Sequence, residues 1–295
     1  MLKDDLIERS REVKRVLWIT LLLNLMVCGL KLGYGYATHT LSMVADGYHS
    51  LLDSTSNIVG LVALVFASRP ADSGHPYGHR KVEALGAMFI SAMLFWACYE
   101  IASSAWARLH DRQNPEVTVY SFVIMVGTMA VNAWVSRYEH RRGHELHSQI
   151  LTADSAHTRS DVLASLSVIV ALVGIKFKIP WVDLAAAGLI AVFVGYSGYK
   201  IVLESLNTLM DSAQLDPREV VKIAMQVEGI DKCHSIRTRG NPAAIYMDLN
   251  IHVAPQLSTQ EAHRLTHRVI AKIKEEIPEV VDVVVHTEPS SPHED

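Results

Sequence analysis

Two histidine–aspartate pairs stand inside long apolar stretches of this chain. His49 and Asp53 interrupt one stretch, and His157 and Asp161 interrupt another. Both pairs are spaced i, i+4, which on a helix puts the two side chains on one face, about 6 Å apart. An ionisable group inside a bilayer is costly, so its presence there asks for a function. Two neutral imidazoles and two carboxylates that face each other offer four ligands to a divalent transition metal such as Zn²⁺. The two carboxylates also balance its two charges. These four residues are expected to form an intramembrane metal site. One pair alone is equally well read as a structural His–Asp hydrogen bond or as a loop; the repeated spacing at matched depth favours metal. Asp46 and Asp154 lie seven positions before Asp53 and Asp161. They are candidates for groups behind the ligands, for proton carriers, or for the lining of a water-filled funnel.

Six apolar segments can position these residues: roughly 15–36, 40–67, 83–107, 117–137, 150–175 and 180–203. Each is long enough to cross about 30 Å of hydrocarbon as a helix. The fifth is polar in its first half, with Asp154, His157, Arg159 and Asp161, and apolar in its second half, VLASLSVIVALVGI. At about 1.5 Å per residue, Asp53 and Asp161 lie at similar depths from opposite ends of their helices, so the pairs can meet near mid-membrane. Arg9, Arg11, Lys14 and Arg15, then Arg69, Arg80 and Lys81, then Arg137, Arg141 and Arg142 flank one side. Only Lys31, Arg112, Lys176 and Lys178 fall near the other. The bias predicts cytoplasmic termini. With 49% hydrophobic residues and a mean hydropathy of +0.18, the chain is too apolar for an ordinary soluble protein. A net charge of −4 and a pI near 6.4 argue against nucleic acid as a partner. Cys28, Cys98 and Cys233 form neither a C-x-x-C motif nor a disulfide framework and read as free thiols. The N-terminus, MLKDDLIERSREVKR, lacks the features of a cleaved signal peptide.

Beyond about residue 211 the character changes. Asp216-Pro217 reads as an N-cap with proline at the first helical position. Residues 233–239 and 245–253 read as strands. In the second, Ile245, Met247, Leu249, Ile251 and Val253 alternate with Tyr246, Asp248, Asn250 and His252. Ser258 and Glu261 form a capping box for a helix to about 277, and 280–286 is a last strand. The order αββαβ implies helices on one face of a three-stranded sheet. The expected fold class is an α-helical membrane protein of six transmembrane helices followed by a small cytoplasmic α+β domain. Its parts are a segment 1–14, a membrane domain 15–207, a cytoplasmic domain 208–288 and a disordered tail 289–295.

Asp72, His75 and His79 place three metal-ligating types in one short polar loop; capping or lipid-phosphate contact is the alternative for them. His286 and Glu288, two apart on a strand, share a face. His144-Glu145-Leu146-His147 fails as a zinc-protease motif, because H-E-x-x-H needs histidine where Ser148 stands. Asn24 and Asn132 are expected to form interhelical hydrogen bonds.

LSMVADGYHSLLDS, HPYGHRKVEAL and ADSAHTRSDVLAS resemble the cation diffusion facilitators, and in particular their bacterial iron/zinc branch. The likeness runs from about residue 12 to 288. It implies a homodimeric antiporter that exports divalent metal in exchange for protons, with the transport site on His49, Asp53, His157 and Asp161. It also implies a second site at Asp72, His75 and His79, and an interdomain salt bridge between Lys81 and Asp211. Cytoplasmic sites would involve His234, His263, His286 and Glu288. Two positions depart from the family there: Asn250 stands where histidine is frequent, and Glu288 where aspartate is. His252, on the same strand face as Asn250, is a substitute, so one regulatory ion per subunit or a bridging ion is expected. His267 is expected to be exposed. Many bacterial members carry aspartate in place of His49; histidine there is more like the zinc-preferring eukaryotic members.

The expected function is export of Zn²⁺, with Cd²⁺, Fe²⁺ and other divalent ions as further cargo, across the inner membrane by alternating access. Protons are the counter-ion, lipid and a second copy of the chain the partners, and no enzyme activity or nucleic acid is expected. Two readings from other classes stay open. One is a membrane-bound metal sensor or scaffold without transport. The other is an intramembrane zinc hydrolase, which would need a general base beside an open coordination position.

Overall fold

The computed structural model describes residues 2–37, 41–110, 119–176 and 181–290. Arg112, Lys178 and the tail from 291 lie outside the described residues, and so do the side chains of Asp46, His49 and Asp53. The chain divides into two compact units, residues 3–205 and 206–295.

Among the described residues the first unit is built on six helices: α1 (Leu2–Ala37), α2 (Leu41–Ala67), α3 (Val82–His110), α4 (Val119–Glu145), α5 (Gln149–Lys176) and α6 (Trp181–Leu209). Residues 2–14 are helical and continuous with the first expected span. They include no proline or glycine to break the helix, and α1 runs through them. Among the described residues, Ile7–Tyr34, Val82–Ser103 and Gly188–Leu209 are long and apolar enough to cross a membrane by length and composition. In α5 the polar half turns inward: Asp154, His157 and Thr158 are all buried. The outward faces are apolar instead, with Trp96, Leu189 and Val192 at 68%, 75% and 74% exposure. Such bands suit hydrocarbon, not water.

Val13 and Leu17 of α1, Leu64 of α2, Ile90 and Leu94 of α3 and Leu151 of α5 form the core of this unit. Two glycines let helices approach closely. A Cβ at Gly47 would lie 2.6 Å from Leu32 Cδ2, and one at Gly86 would lie 2.6 Å from Ala63 Cβ. At one end of the bundle Arg9 joins three elements. Its guanidinium pairs with Glu83 at 3.1 Å and donates to the carbonyls of Leu146 and His147 at 2.6 and 2.9 Å. Ser148 Oγ donates to the same Glu83 at 2.5 Å, so α1, α3 and the α4–α5 turn share one buried carboxylate.

The second unit has the order α7 (Pro217–Ala224), β1 (Lys232–Asn241), β2 (Ala244–Val253), α8 (Thr259–Glu276) and β3 (Val280–Pro289). Asp216 caps α7, accepting from the Arg218 N–H, and the Ser258–Glu261 capping box opens α8. The sheet order is β1-β2-β3, with β1 antiparallel and β3 parallel to β2. Gly240, at φ +110°, stands near the end of β1, just before the turn to β2; a Cβ there would sit 2.2 Å from the Ala244 carbonyl oxygen. Met247, Leu249 and Ile251 on one sheet face meet Leu265, Val269 and Ile273 of α8. β3 extends past the expected 286 to Pro289, since Ile251, His252 and Val253 of β2 continue to pair with it.

Candidate metal centres

In the helical unit, Asn24 of α1, Ser50 of α2, Asn132 of α4 and His157, Thr158 and Asp161 of α5 line a cavity of about 10 Å³, room for about one water-sized body. His157 is 4% exposed. α5 brings its His–Asp pair to this cavity because 157 and 161 share one helical face. α2 carries His49 and Asp53 with the same spacing, and Ser50, next to His49, lies on the cavity wall. Asn24 donates to Asn57 Oδ1 at 2.8 Å, a bond between α1 and α2. Asn132 is on the cavity wall. Asp154 is fully buried and bonds to Asn57, so it stands behind this wall.

One charged residue bonds to the cavity wall from within the first span. Lys31 lies in α1, is 7% exposed and donates from Nζ to Ser50 Oγ at 2.9 Å. A lysine within the span 15–36 was the available signal, since an ammonium inside a membrane segment needs a buried partner.

In the α2–α3 loop, Asp72, His75 and His79 come together. His75 Nδ1 and His79 Nε2 each lie 3.4 Å from an Asp72 carboxylate oxygen, and the two rings are 4.3 Å apart. The arrangement is local. Asp72 Oδ1 accepts from the Gly74 and His75 N–H groups at 2.9 and 2.7 Å, closing an Asx turn. The His75 N–H is the main reason that the Asp72 carboxyl stays below the usual carboxylate range. Three ligand atoms within 4.8 Å of one another can hold one metal ion.

In the second unit a further set forms on the sheet face opposite α8. His252 pairs in register with Glu288, and Asn250 with both His234 and His286, so all five side chains share that face. His234 Nε2 and His252 Nε2 are 2.9 Å apart, and Glu288 Oε2 lies 3.4 and 3.1 Å from them. His286 Nε2 lies 3.6 Å from Glu288 Oε1, which also accepts from Asn250 at 2.7 Å. A bulge after His234, with Ser235 at φ +53°, also brings Arg237 to this face, opposite Asp248. His263 is not brought into the set. α8 packs on the other face of the sheet through Leu265, Val269 and Ile273, and His263 is exposed 3.1 Å from His267. The three ligand groups that converge are therefore His234, His252 and Glu288, with His286 beside them. Lys81 stands before α3, and Asp211, at φ +56°, follows α6.

The profile of the cation efflux transmembrane domain matches residues 17–210, and that of the cation efflux protein cytoplasmic domain matches residues 214–290. An uncharacterised transporter of Methanocaldococcus jannaschii is 31% identical, over 86% of this chain and 90% of its own length. Metal tolerance protein C1 of Arabidopsis thaliana is 28% identical, over 87% of this chain and 58% of its own. The manganese efflux system protein MneS of Bacillus subtilis is 24% identical, over 90% of this chain and 91% of its own.

Proposed function

This chain belongs to the cation efflux family, and we propose that it exports Zn²⁺ from the cytoplasm in exchange for protons. The observation that carries this reading is the cavity between α1, α2, α4 and α5, lined by His157 and Asp161. His49 and Asp53 of α2 complete the transport site in this proposal. A mixed imidazole and carboxylate set suits Zn²⁺ and Cd²⁺ better than the harder Mn²⁺; Fe²⁺ is secondary cargo. Protons and metal compete for the same lone pairs. Facing the cytoplasm, neutral histidines bind the ion; facing outward, protonation releases it.

The protein acts as a homodimer in the inner membrane, with both termini cytoplasmic. His234, His252 and Glu288 bind a regulatory ion in the cytoplasmic domain, with His286 in support. The Asp72, His75 and His79 loop is a second, more exposed centre. The test is zinc flux in liposomes reconstituted with purified protein. Uptake into vesicles with an acid lumen should rise with the imposed proton gradient and collapse when a protonophore dissipates it. Zinc flux indifferent to the gradient refutes antiport; absence of flux for every divalent ion leaves the sensor reading.

A further inference from the structure

Behind the cavity wall two carboxyl groups are buried together. Glu139 of α4 and Asp154 of α5 are both 0% exposed, and their carboxyl groups lie close enough to interact with each other. Neither belongs to the four metal ligands proposed above. The hydrogen bonds of the pair to other groups run to neutral partners. Asn57 of α2 donates to Asp154 Oδ2, and Thr158 lies 3.3 Å from Glu139 Oε2. The hydroxyls of Thr20 of α1 and Ser56 of α2 stand near Glu139 and Asp154, respectively. Among the described residues, no lysine or arginine bonds to either carboxyl. Among the described residues, the titratable group that acts on Asp154 besides Glu139 is His157, one turn along α5, and the α1 and α2 groups at the pair, Thr20, Ser56 and Asn57, are neutral.

Carboxylate oxygens only accept hydrogen bonds, so two neighbouring carboxyl groups can bond to each other only when one of them carries a proton. Two carboxylates in contact, desolvated and without a counter-cation, do not both ionise. Among the described residues, no group donates to Glu139 Oε1 or Asp154 Oδ1. A shared proton satisfies this deficit. The pair is also joined to the metal cavity by two routes. Thr158, whose hydroxyl reaches Glu139, is on the cavity wall. Asn57, which holds Asp154, accepts from Asn24 on the same wall.

We propose that Glu139 and Asp154 form a shared-proton acid pair, a proton-binding site separate from the metal ligands, which releases its proton when a divalent cation enters the adjacent cavity. The physical basis is field: a dication on the far side of Thr158 favours two negative carboxylates over one. The proposal rests on reading the cavity as the metal path.

The test uses the full chain in lipid nanodiscs, with Zn²⁺ alone as the probe. Infrared spectra of the metal-free protein at neutral pH should contain a protonated-carboxyl C=O band that shifts on deuteration and diminishes when Zn²⁺ is added. Glu139→Gln keeps a hydrogen-bond donor beside Asp154 and should lack that zinc-sensitive band. In weakly buffered solution the variant should release fewer protons than the unmodified protein at equal zinc occupancy. No zinc-sensitive band in the unmodified protein, or equal proton release from the two proteins, overturns the proposal. The infrared result needs no variant, so a folding failure of Glu139→Gln leaves a decisive measurement. Both readouts are made at equilibrium without a gradient. A failure of gradient-driven flux therefore counts against antiport and not against the acid pair.

Discussion

His252→Ala should nearly abolish zinc stabilisation of the cytoplasmic domain, expressed alone from about residue 211. Tetrahedral zinc bonds of about 2.0–2.1 Å put neighbouring ligand atoms about 3.3 Å apart. The distances among His234 Nε2, His252 Nε2 and Glu288 Oε2 are 2.9, 3.1 and 3.4 Å. The set therefore needs to open by only about 0.2–0.4 Å to accept the ion, well within rotamer play. Structural zinc sites bind with about 10–16 kcal/mol over four ligands, so one imidazole is worth about 3 kcal/mol, or roughly a hundredfold in Kd. At a zinc concentration about 100-fold above Kd, binding stabilises the unmodified domain by about 2.7 kcal/mol; the variant, then at about its Kd, gains only about 0.4 kcal/mol. For a domain of this size that is a zinc-induced rise in Tm of about 10–20 °C against about 2–3 °C. Differential scanning fluorimetry with and without Zn²⁺ reads the difference. Each variant is compared with its own metal-free Tm, because His252 is buried and its loss also affects packing. His267→Ala, on the opposite side of the sheet, is the control. A full zinc shift in His252→Ala, or the loss of the shift in His267→Ala, would refute the placement of the site.

Asp161→Ala should abolish zinc flux in liposomes at equal protein density, because it removes an anionic ligand from the cavity; near-normal flux would sink the transport-site assignment. His49→Asp should lower the ratio of Zn²⁺ to Fe²⁺ flux measured anaerobically, since carboxylate suits the harder ion. An unchanged ratio would remove His49 from selectivity. Hydrogen bonds from the Ser258 side chain and backbone hold the Glu261 carboxyl below its ordinary range. A depressed folded value means that this stabilisation is complete above the ordinary carboxylate pKa and is lost as pH falls through the folded value. Between about pH 6 and pH 3 the cytoplasmic domain should therefore lose more Tm than its Glu261→Gln variant, whose side chain keeps the cap without titrating. Parallel losses would show that the box contributes nothing to acid sensitivity.

Much of this architecture follows from local sequence. Helical periodicity, the Asp216-Pro217 start, the Ser258–Glu261 box and the alternation along 245–253 depend on backbone geometry within a few residues, and the elements formed where those signals stand. The His–Asp spacing on α2 and α5 is local in the same way, and so is the Asp72 turn that gathers His75 and His79. Packing decided the rest. Glu139, in the run RYEHRR, reads as part of a basic flank just past a span. α4 continues to Glu145, and the close packing of α4 on α5 buries Glu139 against Asp154. His263 and His252 look equally eligible as cytoplasmic ligands in one dimension. The choice between them depends on which sheet face α8 covers, and Leu265, Val269 and Ile273 put α8 on the face away from His252. Lys31 is a stray charge until Ser50 of the neighbouring helix receives it. A residue's type and spacing report what it can do within its own turn or strand. Which partners it meets across elements is set by how apolar faces interlock, and that information exists only in three dimensions.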